Sequence, residues 1–384
     1  MEKVKKMTIK HRFFYALLRP LVAFFLFLKF GYRYKSIGKV KGPYMVLSNH
    51  NTDWDPLFVG VSSKKQMYFV ASEHIARWKV AYKFLKFAFD PIIRYKGTTA
   101  TASVIDMLRA VKNGANVCMF AEGARSWDGV TQQISPATGK VVKKAKCTLI
   151  TYKIQGGYFV SPNWSQEGLR KGPIYGAPVN VYTKEQIESM SVDEINEAIQ
   201  KDLYEDAYAK QIENPKKYKG KQIAYKMENL LFKCPKCGAM DTIRSQKDTV
   251  TCEKCGMSFK YTEYCMLEGI DFKTVKELAA WQREQVAKDA ANNVSYTSAG
   301  GKLIEIDKHV ETVCSEGPIY MNHSTIACGD VTVPLASVID LTMHGRRAIV
   351  FSTKEKYYKL LPSQESNVLK YHLLYNEYKN RSEG

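Results

Sequence analysis

A histidine followed closely by carboxylates is the first group of side chains in this chain that could do chemistry. Residues 48–56 read SNHNTDWDP, so His50 is followed by Asp53 and Asp55. A carboxylate that accepts a hydrogen bond from one ring nitrogen fixes the tautomer and leaves the other nitrogen as a base near neutral pH. A surface histidine beside helix-capping aspartates is the alternative. The residues by themselves leave both carboxylates open as the partner.

A second polar cluster follows at residues 120–126, which read FAEGARS. Gly123 permits a close approach of the backbone, and the Arg125 guanidinium offers a planar fork of donors that suits a phosphate. Glu122 and Ser126 complete this candidate substrate-binding group. For this cluster taken alone, an ordinary strand-to-loop turn with a Glu–Arg ion pair is the alternative.

Both clusters follow directly on a predicted strand. Residues 44–47 (YMVL) and 116–120 (NVCMF) are apolar runs typical of buried strands. Helical periodicity at 100–112 and at 191–212 indicates helices that alternate with the strands. The sequence therefore predicts an α/β domain over residues 44–215, with polar clusters where its strands leave the core.

In this order and at this separation, the two clusters resemble the signature blocks of the glycerolipid acyltransferases, the lysophosphatidate acyltransferase family. The blocks of that family read N-H-x4-D and F-P-E-G-T-R-S. The resemblance extends over residues 10–215 and implies a glycerol-3-phosphate acyltransferase-like α/β domain. The family spacing also favours Asp55 over Asp53 as the partner of His50.

A third group of residues also resembles a block of this family, and several positions differ from the family's pattern. Residues 89–95 (FDPIIRY) occupy the place of the family's middle block, which makes Arg94 a candidate second phosphate contact. Ala121 and Ala124 replace the usual proline and threonine, and the downstream strand at 147–152 has no proline. These changes leave the expected base and phosphate ligands in place, but they bear on the acyl-donor pocket and on the acceptor.

The resemblance implies transfer of a fatty acyl group from a thioester, on coenzyme A or acyl carrier protein, to the hydroxyl of a lysophospholipid. The expected acceptor is 1-acylglycerol-3-phosphate, which gives phosphatidate. His50 would take the hydroxyl proton during attack on the thioester carbonyl, and Asp55 would orient the ring. The second cluster, with Arg94, would hold the acceptor's phosphate. No metal is needed for this step.

The front of the chain is basic and apolar. The whole chain has 57 Lys and Arg against 38 Asp and Glu, a net charge of +19, and eleven of these cations lie in residues 1–41 beside a single Glu. They flank the apolar run 13–30, which is interrupted by Arg19-Pro20. The uninterrupted part is shorter than the roughly 20 residues that span a bilayer. We therefore expect residues 1–43 to lie in the interface of an anionic membrane, with a buried amphipathic helix as the alternative.

No small-residue cleavage site follows this apolar run, so a secretory signal peptide is not expected. Together with the membrane-interface segment, this predicts a peripheral or monotopic protein on the cytoplasmic face of a membrane.

Four of the nine cysteines form two Cys-x2-Cys knuckles, and they are Cys234, Cys237, Cys252 and Cys255. Thiolates at this spacing on two short turns can close a tetrahedral shell around zinc. A disulfide pair or a redox centre is the alternative, and a cytosolic setting disfavours disulfides. We predict a zinc ribbon over residues 233–262 that holds a structural Zn²⁺.

The remaining regions flank the ribbon. Residues 216–232 predict a basic linker and a short helix from 221 to 232. After the ribbon, residues 263–384 predict a helix at 274–289, a series of short strands and a final helix. This pattern predicts a small mainly-β domain that resembles a PH or GRAM barrel. The pair Gly300-Gly301 is interpreted as a linker before the first of these strands.

A non-catalytic role is the alternative from another class of function. A zinc ribbon on a chain of this charge could bind nucleic acid or a membrane, with the front domain a degenerate acyltransferase fold. However, the charge is concentrated beside hydrophobic residues, and the ribbon lacks the clustered arginine and aromatic residues of a base-reading surface. The expected partners are therefore an anionic membrane, a lysophospholipid and an acyl donor rather than nucleic acid.

Overall fold

A computed structural model describes residues 8–72, 75, 79–94, 101–307 and 310–383. The chain forms two compact units. The first comprises Met1–Asn163 and Leu169–Gly220, and the second comprises Trp164–Gly168 and Lys221–Gly384. The first seven residues of the predicted front segment and Tyr95 of the third sequence group lie outside the described residues.

The first unit is built around a seven-stranded sheet. Its strands are β1 (Arg33–Tyr34), β2 (Tyr44–Ser48), β3 (Met67–Ser72), β4 (Ile92–Arg94), β5 (Asn116–Phe120), β6 (Thr148–Gln155) and β7 (Tyr175–Tyr182). Its helices are α1 (Ile9–Phe30), α2 (Asp55–Ser62), α3 (Lys79–Phe89), α4 (Thr101–Lys112), α5 (Ala137–Ala145), α6 (Gly157–Val160), α7 (Lys184–Ser189), α8 (Val192–Leu203) and α9 (Ala207–Glu213). Strands and helices alternate along much of this unit, which confirms the predicted α/β class.

The strand order is β1-β7-β6-β2-β5-β3-β4, and the five strands from β6 to β4 run parallel. All five residues of the central β2 are buried, because strands lie on both sides and the sheet is covered on both faces. The register pairs Ser48 with Phe120 of β5 and with Tyr152 of β6. The carboxyl ends of these three strands therefore meet at one edge of the sheet.

The loop that follows β2 is fastened to β6 by side-chain amides. Asn49 Nδ2 donates to the Ile154 carbonyl at 2.8 Å, and the Ile154 N–H donates to Asn49 Oδ1 at 2.8 Å. Asn51 Nδ2 donates to the same carbonyl at 3.1 Å. Because these buried amides are hydrogen-bonded to β6, the loop has a defined conformation where it leaves the core.

The front segment differs from its prediction in one respect. Helix α1 is continuous through Arg19-Pro20, and its 22 residues are long and apolar enough on average to cross a membrane by length and composition. The helix is thus longer than the uninterrupted apolar run on which the sequence expectation was based. Arg19 and Pro20 interrupt the apolar run but not the helix, and Arg19 Nε donates to the Val61 carbonyl of α2 at 2.9 Å.

The predicted single helix at 191–212 is also wrong, since α8 and α9 are separate. Between them, the Glu205 N–H donates to Thr131 Oγ1 and the Thr131 N–H donates to the Glu205 carbonyl, both at 2.9 Å. Asp206 then caps the second helix by accepting from two backbone N–H groups. Bonds to a remote segment thus replace the helical bonds that periodicity alone would predict.

The second unit contains two sheets and two long helices. Its elements are β8 (Ile243–Gln246), β9 (Thr249–Cys252), β10 (Ser258–Tyr261), β11 (Leu267–Glu268), α10 (Val275–Ala291), β12 (Tyr296–Asp307), β13 (Val310–Met321), β14 (Thr325–Cys328), β15 (Val331–Pro334), β16 (Asp340–His344), β17 (Ala348–Ser352), β18 (Tyr357–Pro362) and α11 (Leu369–Glu383). Strands β8 to β11 form a small sheet, and β12 to β18 form a seven-stranded sheet in the order β15-β14-β13-β12-β18-β17-β16. The mainly-β character is confirmed, while the PH- or GRAM-like assignment stays a prediction.

Two local predictions in this unit are wrong. In place of a helix over 221–232, the structure has turns and a short 3-10 helix, Met227–Asn229, because Lys226 is left-handed (φ 69°) and its N–H donates to Ser245 Oγ. Gly301 lies inside β12 and is not a linker. A Cβ there would lie 2.3 Å from Ile319 Cδ1, so the close packing of β12 on β13 requires a glycine.

Candidate active site

His50 lies just beyond the end of β2, at the shared sheet edge. Its Nδ1 is 2.8 Å from Asp55 Oδ2, and its ring stacks on Phe120 with the centroids 4.6 Å apart. The side chain is 22% exposed. With Nδ1–H donated to the carboxylate, Nε2 is left to accept a proton.

Asp55 is the first residue of α2, and its side chain is completely buried. Besides the histidine ring, it accepts from the N–H groups of Asn51 at 2.6 Å and Thr52 at 2.9 Å, and from Thr52 Oγ1 at 2.7 Å. A buried carboxylate needs such donors, and a helix N-terminus also favours negative charge. These bonds fix the direction in which Asp55 meets His50.

Asp53, the other carboxylate of the first cluster, is exposed and has a different partner. It is 67% exposed, and its Oδ2 is 3.2 Å from Nη1 of Arg125. The structure therefore pairs Asp55 with the histidine and Asp53 with the arginine.

Glu122 joins the two polar clusters through the backbone. Its Oε1 accepts the N–H of His50 at 2.7 Å, and its Oε2 accepts the N–H of Gln132 at 2.8 Å. Burial raises the pKa of Glu122 to about 7, against the opposing effect of these two hydrogen bonds. The carboxylate thus holds the backbone of the histidine loop, a role that the residue type alone does not indicate.

Arg125 is 8% exposed, and its guanidinium is occupied by the protein itself. Its Nε donates to the Asn51 carbonyl at 2.8 Å, and its Nη2 donates to both the carbonyl and the hydroxyl of Ser161. With the Asp53 ion pair, these bonds tie the histidine loop to the segment after α6. A phosphate would have to displace them to reach this fork of donors.

Arg94 and Gly123 have a more open position. Arg94 ends β4 and is exposed, and it has no hydrogen bond or ion pair with another described residue. Gly123 is left-handed (φ 70°), and a Cβ there would lie 3.6 Å from Nη1 of Arg94. The guanidinium of Arg94 therefore lies over the Gly123 backbone. Ser126, in contrast, is buried, and its Oγ accepts the Gly129 N–H at 2.9 Å within a turn.

Sequence inspection did not single out several residues that complete this site. Thr52 lies inside the first cluster, so its hydroxyl could have been considered as a donor to the carboxylate. Gln132 and Ser161 contribute only after the chain returns from a distance, and nothing in their sequence neighbourhood indicates a role. Asn49 belongs to the first signature block, but only the structure shows that it fastens the loop to β6.

The four knuckle cysteines of the second unit come together. Their sulfur atoms all lie within 4.8 Å of one another, and Cys234–Cys255 and Cys237–Cys252 are 3.7 and 3.8 Å apart. Sulfurs at about 2.3 Å from a tetrahedral zinc are about 3.8 Å from each other. All four are free thiols. The group is therefore of the right size and composition to hold a metal ion.

Comparisons with known proteins bear on both units. Among solved structures, the chain is similar to the crystal structure of the 1-acyl-sn-glycerophosphate (LPA) acyltransferase PlsC from Thermotoga maritima, at 14% identity over 53% of this chain and 81% of that chain, with a TM-score of 0.43. It is also similar to the N-terminal PH domain of human ARAP2, at 13% identity over 22% of this chain and 82% of that chain, with a TM-score of 0.18. Scores this low decide neither fold nor function. The comparison with curated proteins finds no match.

The comparison with family models is specific. Residues 32–155 match the family model described as Acyltransferase. This range contains the histidine–aspartate pair, Arg94 and the second polar cluster, together with strands β2 to β5 that position them. Residues 32–155 therefore form a domain of the acyltransferase family.

Proposed function

We propose that this protein transfers a fatty acyl group from a thioester donor to the hydroxyl of a lysophospholipid, with 1-acylglycerol-3-phosphate as acceptor and phosphatidate as product. The observation that carries the proposal is the 2.8 Å contact between His50 and the buried Asp55. The pair lies at the sheet edge where the carboxyl ends of the parallel strands meet, beside the exposed Arg94 and Gly123. A candidate base and a candidate anion-binding group therefore lie close together within the residues that the family model matches.

The chemistry follows from the free ring nitrogen. An alcohol is a poor nucleophile near neutral pH, so Nε2 of His50 takes the hydroxyl proton as the oxygen attacks the thioester carbonyl. The buried carboxylate of Asp55 stabilises the imidazolium that forms. When the C–S bond breaks, the imidazolium returns the proton to the leaving sulfur, and the ester product remains. Such a base contributes a factor of ~10²–10⁴.

The acceptor's phosphate is held by Arg94 in this proposal. The guanidinium is exposed and lies over the backbone of Gly123, which has no side chain to cover it. Arg125 and Glu122 act differently, since their bonds hold the histidine loop at the distance that the reaction needs. Ser126 supports the turn that follows Arg125.

The exposed face of α1 supports attachment to a membrane. Phe13, Leu17, Leu21, Phe24 and Leu28 form an exposed apolar stripe at helical spacing. Helix α3 lies beside α1 and continues this surface with further exposed apolar side chains. Contiguous apolar surface of this kind marks interaction sites, and cations near both ends of α1 suit anionic lipids.

The opposite face of α1 indicates how it would lie. Tyr15 donates to the Ser63 carbonyl at 3.0 Å, and Phe30 packs on Phe58 with ring centroids 5.4 Å apart. Because the helix is fastened to α2 along its length, it cannot cross a bilayer while the rest of the unit stays in water. We propose a monotopic attachment, with α1 in the interface on the cytoplasmic face.

The cysteine cluster is proposed to hold one structural Zn²⁺. The Gly238 and Gly256 N–H groups close the two knuckles on the carbonyls of Cys234 and Cys252. Both glycines are left-handed, so the turns can form without strain. The metal would connect the two knuckles of a small sheet with little core of its own, and it has no part in acyl transfer.

The first prediction concerns the base. His50→Ala and Asp55→Asn should each lower kcat by ~10²–10⁴, because one removes the base and the other its orienting anion. The assay is acyl transfer to lysophosphatidate with acyl-CoA and acyl carrier protein donors. Asp53→Asn is the matched control and should remain close to wild type. Unchanged activity in His50→Ala would contradict the mechanism. Salt-sensitive binding to nucleic acid without acyl transfer would favour the non-catalytic alternative.

The second prediction separates the two arginines. Arg94→Ala should raise KM for lysophosphatidate by roughly 10–100-fold, which is the effect expected from the loss of one hydrogen bond to a charged group. It should leave KM unchanged for monoacylglycerol, which lacks the phosphate. Arg125→Lys should instead lower the unfolding temperature, because it removes bonds between loops. An Arg94→Ala enzyme with a normal KM for lysophosphatidate would contradict the assignment.

The third prediction concerns the membrane. Replacing Phe13, Leu17 and Phe24 together by serine should reduce binding to anionic vesicles at least ~100-fold, since three large apolar side chains are lost from the contact. Co-sedimentation with phosphatidylglycerol–phosphatidylcholine vesicles is the measurement. Val310→Ser with Ile339→Ser changes exposed apolar residues of the other unit and should have no effect. Equal loss in both variants would argue against α1 as the attachment site.

The fourth prediction concerns the metal. The purified protein should contain one zinc per chain by mass spectrometry, and Cys237→Ser should reduce this content and lower the unfolding temperature of the second unit. Cys314→Ser replaces an exposed cysteine outside the cluster and is the control. Retention of zinc in Cys237→Ser would show that the metal is bound elsewhere.

A further inference from the structure

A basic groove lies in the first unit, beside the carboxyl end of β6. It has a volume of about 690 Å³, and among the described residues six cationic side chains and a single carboxylate, Glu205, line it. That carboxylate is already paired, since its Oε2 is 3.0 Å from Nζ of Lys210. The groove therefore has an excess of positive charge that its own lining does not neutralise.

Two of these cations are held side by side by the backbone. Lys171 and Lys219 form an isolated antiparallel bridge and exchange both N–H···O bonds, at 2.9 and 2.8 Å. Opposed residues of such a pair present their side chains on the same face, and like charges there repel each other. An anion that contacts both ammonium groups removes this repulsion. The backbone bridge thus places two lysine side chains on one face, as a two-cation clamp for a phosphate.

The floor of the groove is rigid and aromatic. The buried ring of Tyr218 packs on Gly172 so closely that a Cβ there would lie 2.1 Å from the ring. The same ring is 5.0 Å from that of Phe159, and its hydroxyl donates to the Pro173 carbonyl at 3.2 Å. Tyr175 lines the wall with an exposed ring, which offers a flat surface to another planar group. The groove thus combines cationic side chains with an exposed aromatic ring, which suits a ligand with phosphates and a planar ring.

The groove lies at the same sheet edge as the base. Gln155 and Gly156, at the end of β6, line it. The preceding residue, Ile154, is the one that accepts the amides of Asn49 and Asn51 in the histidine loop. The end of β6 therefore separates the groove from the site around His50, and a long flexible ligand could occupy both.

We propose that this groove binds the 3′-phosphorylated ADP head of coenzyme A, so that acyl-CoA is the donor. The inference rests on the proposed acyl transfer. The phosphates contact the Lys171–Lys219 clamp, the adenine lies against Tyr175, and the pantetheine arm passes the end of β6 to bring the thioester to His50. Cations that line a concavity of this size suit a small polyanion, whereas an acidic carrier protein would need a protruding basic surface.

The test begins with binding, which does not depend on turnover. By calorimetry, the full chain should bind adenosine 3′,5′-bisphosphate, and Lys171→Ala with Lys219→Ala should weaken this binding at least tenfold. Lys140→Ala with Lys201→Ala removes the same charge from exposed positions on α5 and α8 and should leave it unchanged. Tyr175→Leu should weaken binding of the nucleotide but not of pyrophosphate, since only the nucleotide has a ring to stack.

Kinetics then connect the groove to the donor. The Lys171/Lys219 double variant should have a raised KM for acyl-CoA with an unchanged kcat. It should behave as wild type with an acyl-N-acetylcysteamine thioester, which has no nucleotide. Equal effects of the two lysine pairs would overturn the proposal. It would also be overturned if the enzyme did not use acyl-CoA and transferred from acyl carrier protein without inhibition by adenosine 3′,5′-bisphosphate.

The two proposals fail in different ways. If wild type transfers no acyl group from any donor, the proposed function fails, and the calorimetry still decides whether the groove binds the nucleotide. If wild type transfers acyl groups but the groove variants bind and react normally, the function stands and the groove assignment is overturned.

Discussion

The parallel pairing of β2 with both β5 and β6 is the constraint on which the rest of the first unit depends. Because the three strands run in the same direction, their carboxyl ends meet at one edge. The histidine loop follows β2, the Glu122 turn follows β5, and the groove begins where β6 ends. Residues far apart in the chain therefore meet at this edge, and the buried strands hold their relative positions.

A second constraint is the cost of buried charge. Asp55, Glu122 and Arg125 are all buried or half-buried, and each is compensated by several hydrogen bonds from neighbouring loops. Through these bonds, the polar residues hold the loops in place at the sheet edge. Among the described residues of the site, His50 Nε2 and the Arg94 guanidinium are less occupied by protein partners. Chemical type alone does not distinguish the residues that hold the loops from those proposed to contact substrate.

The elements that sequence patterns predicted well are those with a strong local signal, such as a continuous apolar run or a helix cap. The apolar run of β5 and the helix α10, which begins at its Thr274 cap, lie within a few residues of their predicted positions. The errors occur where remote bonds override local preference. The helix predicted through Glu205 is broken by Thr131, and Gly301 is part of a strand because Ile319 packs against it.

The sequence by itself determined which residues could do chemistry and in what order, since the spacing of His50, Asp55 and the four knuckle cysteines is a property of the chain. It also determined that the front of the chain is both basic and apolar. Only the tertiary structure decided which carboxylate meets the histidine, that Arg125 is occupied while Arg94 is open, and that Lys171 and Lys219 face the same groove. The physical reason is that hydrogen-bond saturation and charge compensation depend on neighbours brought together by strand pairing, and no local pattern of residues records those neighbours.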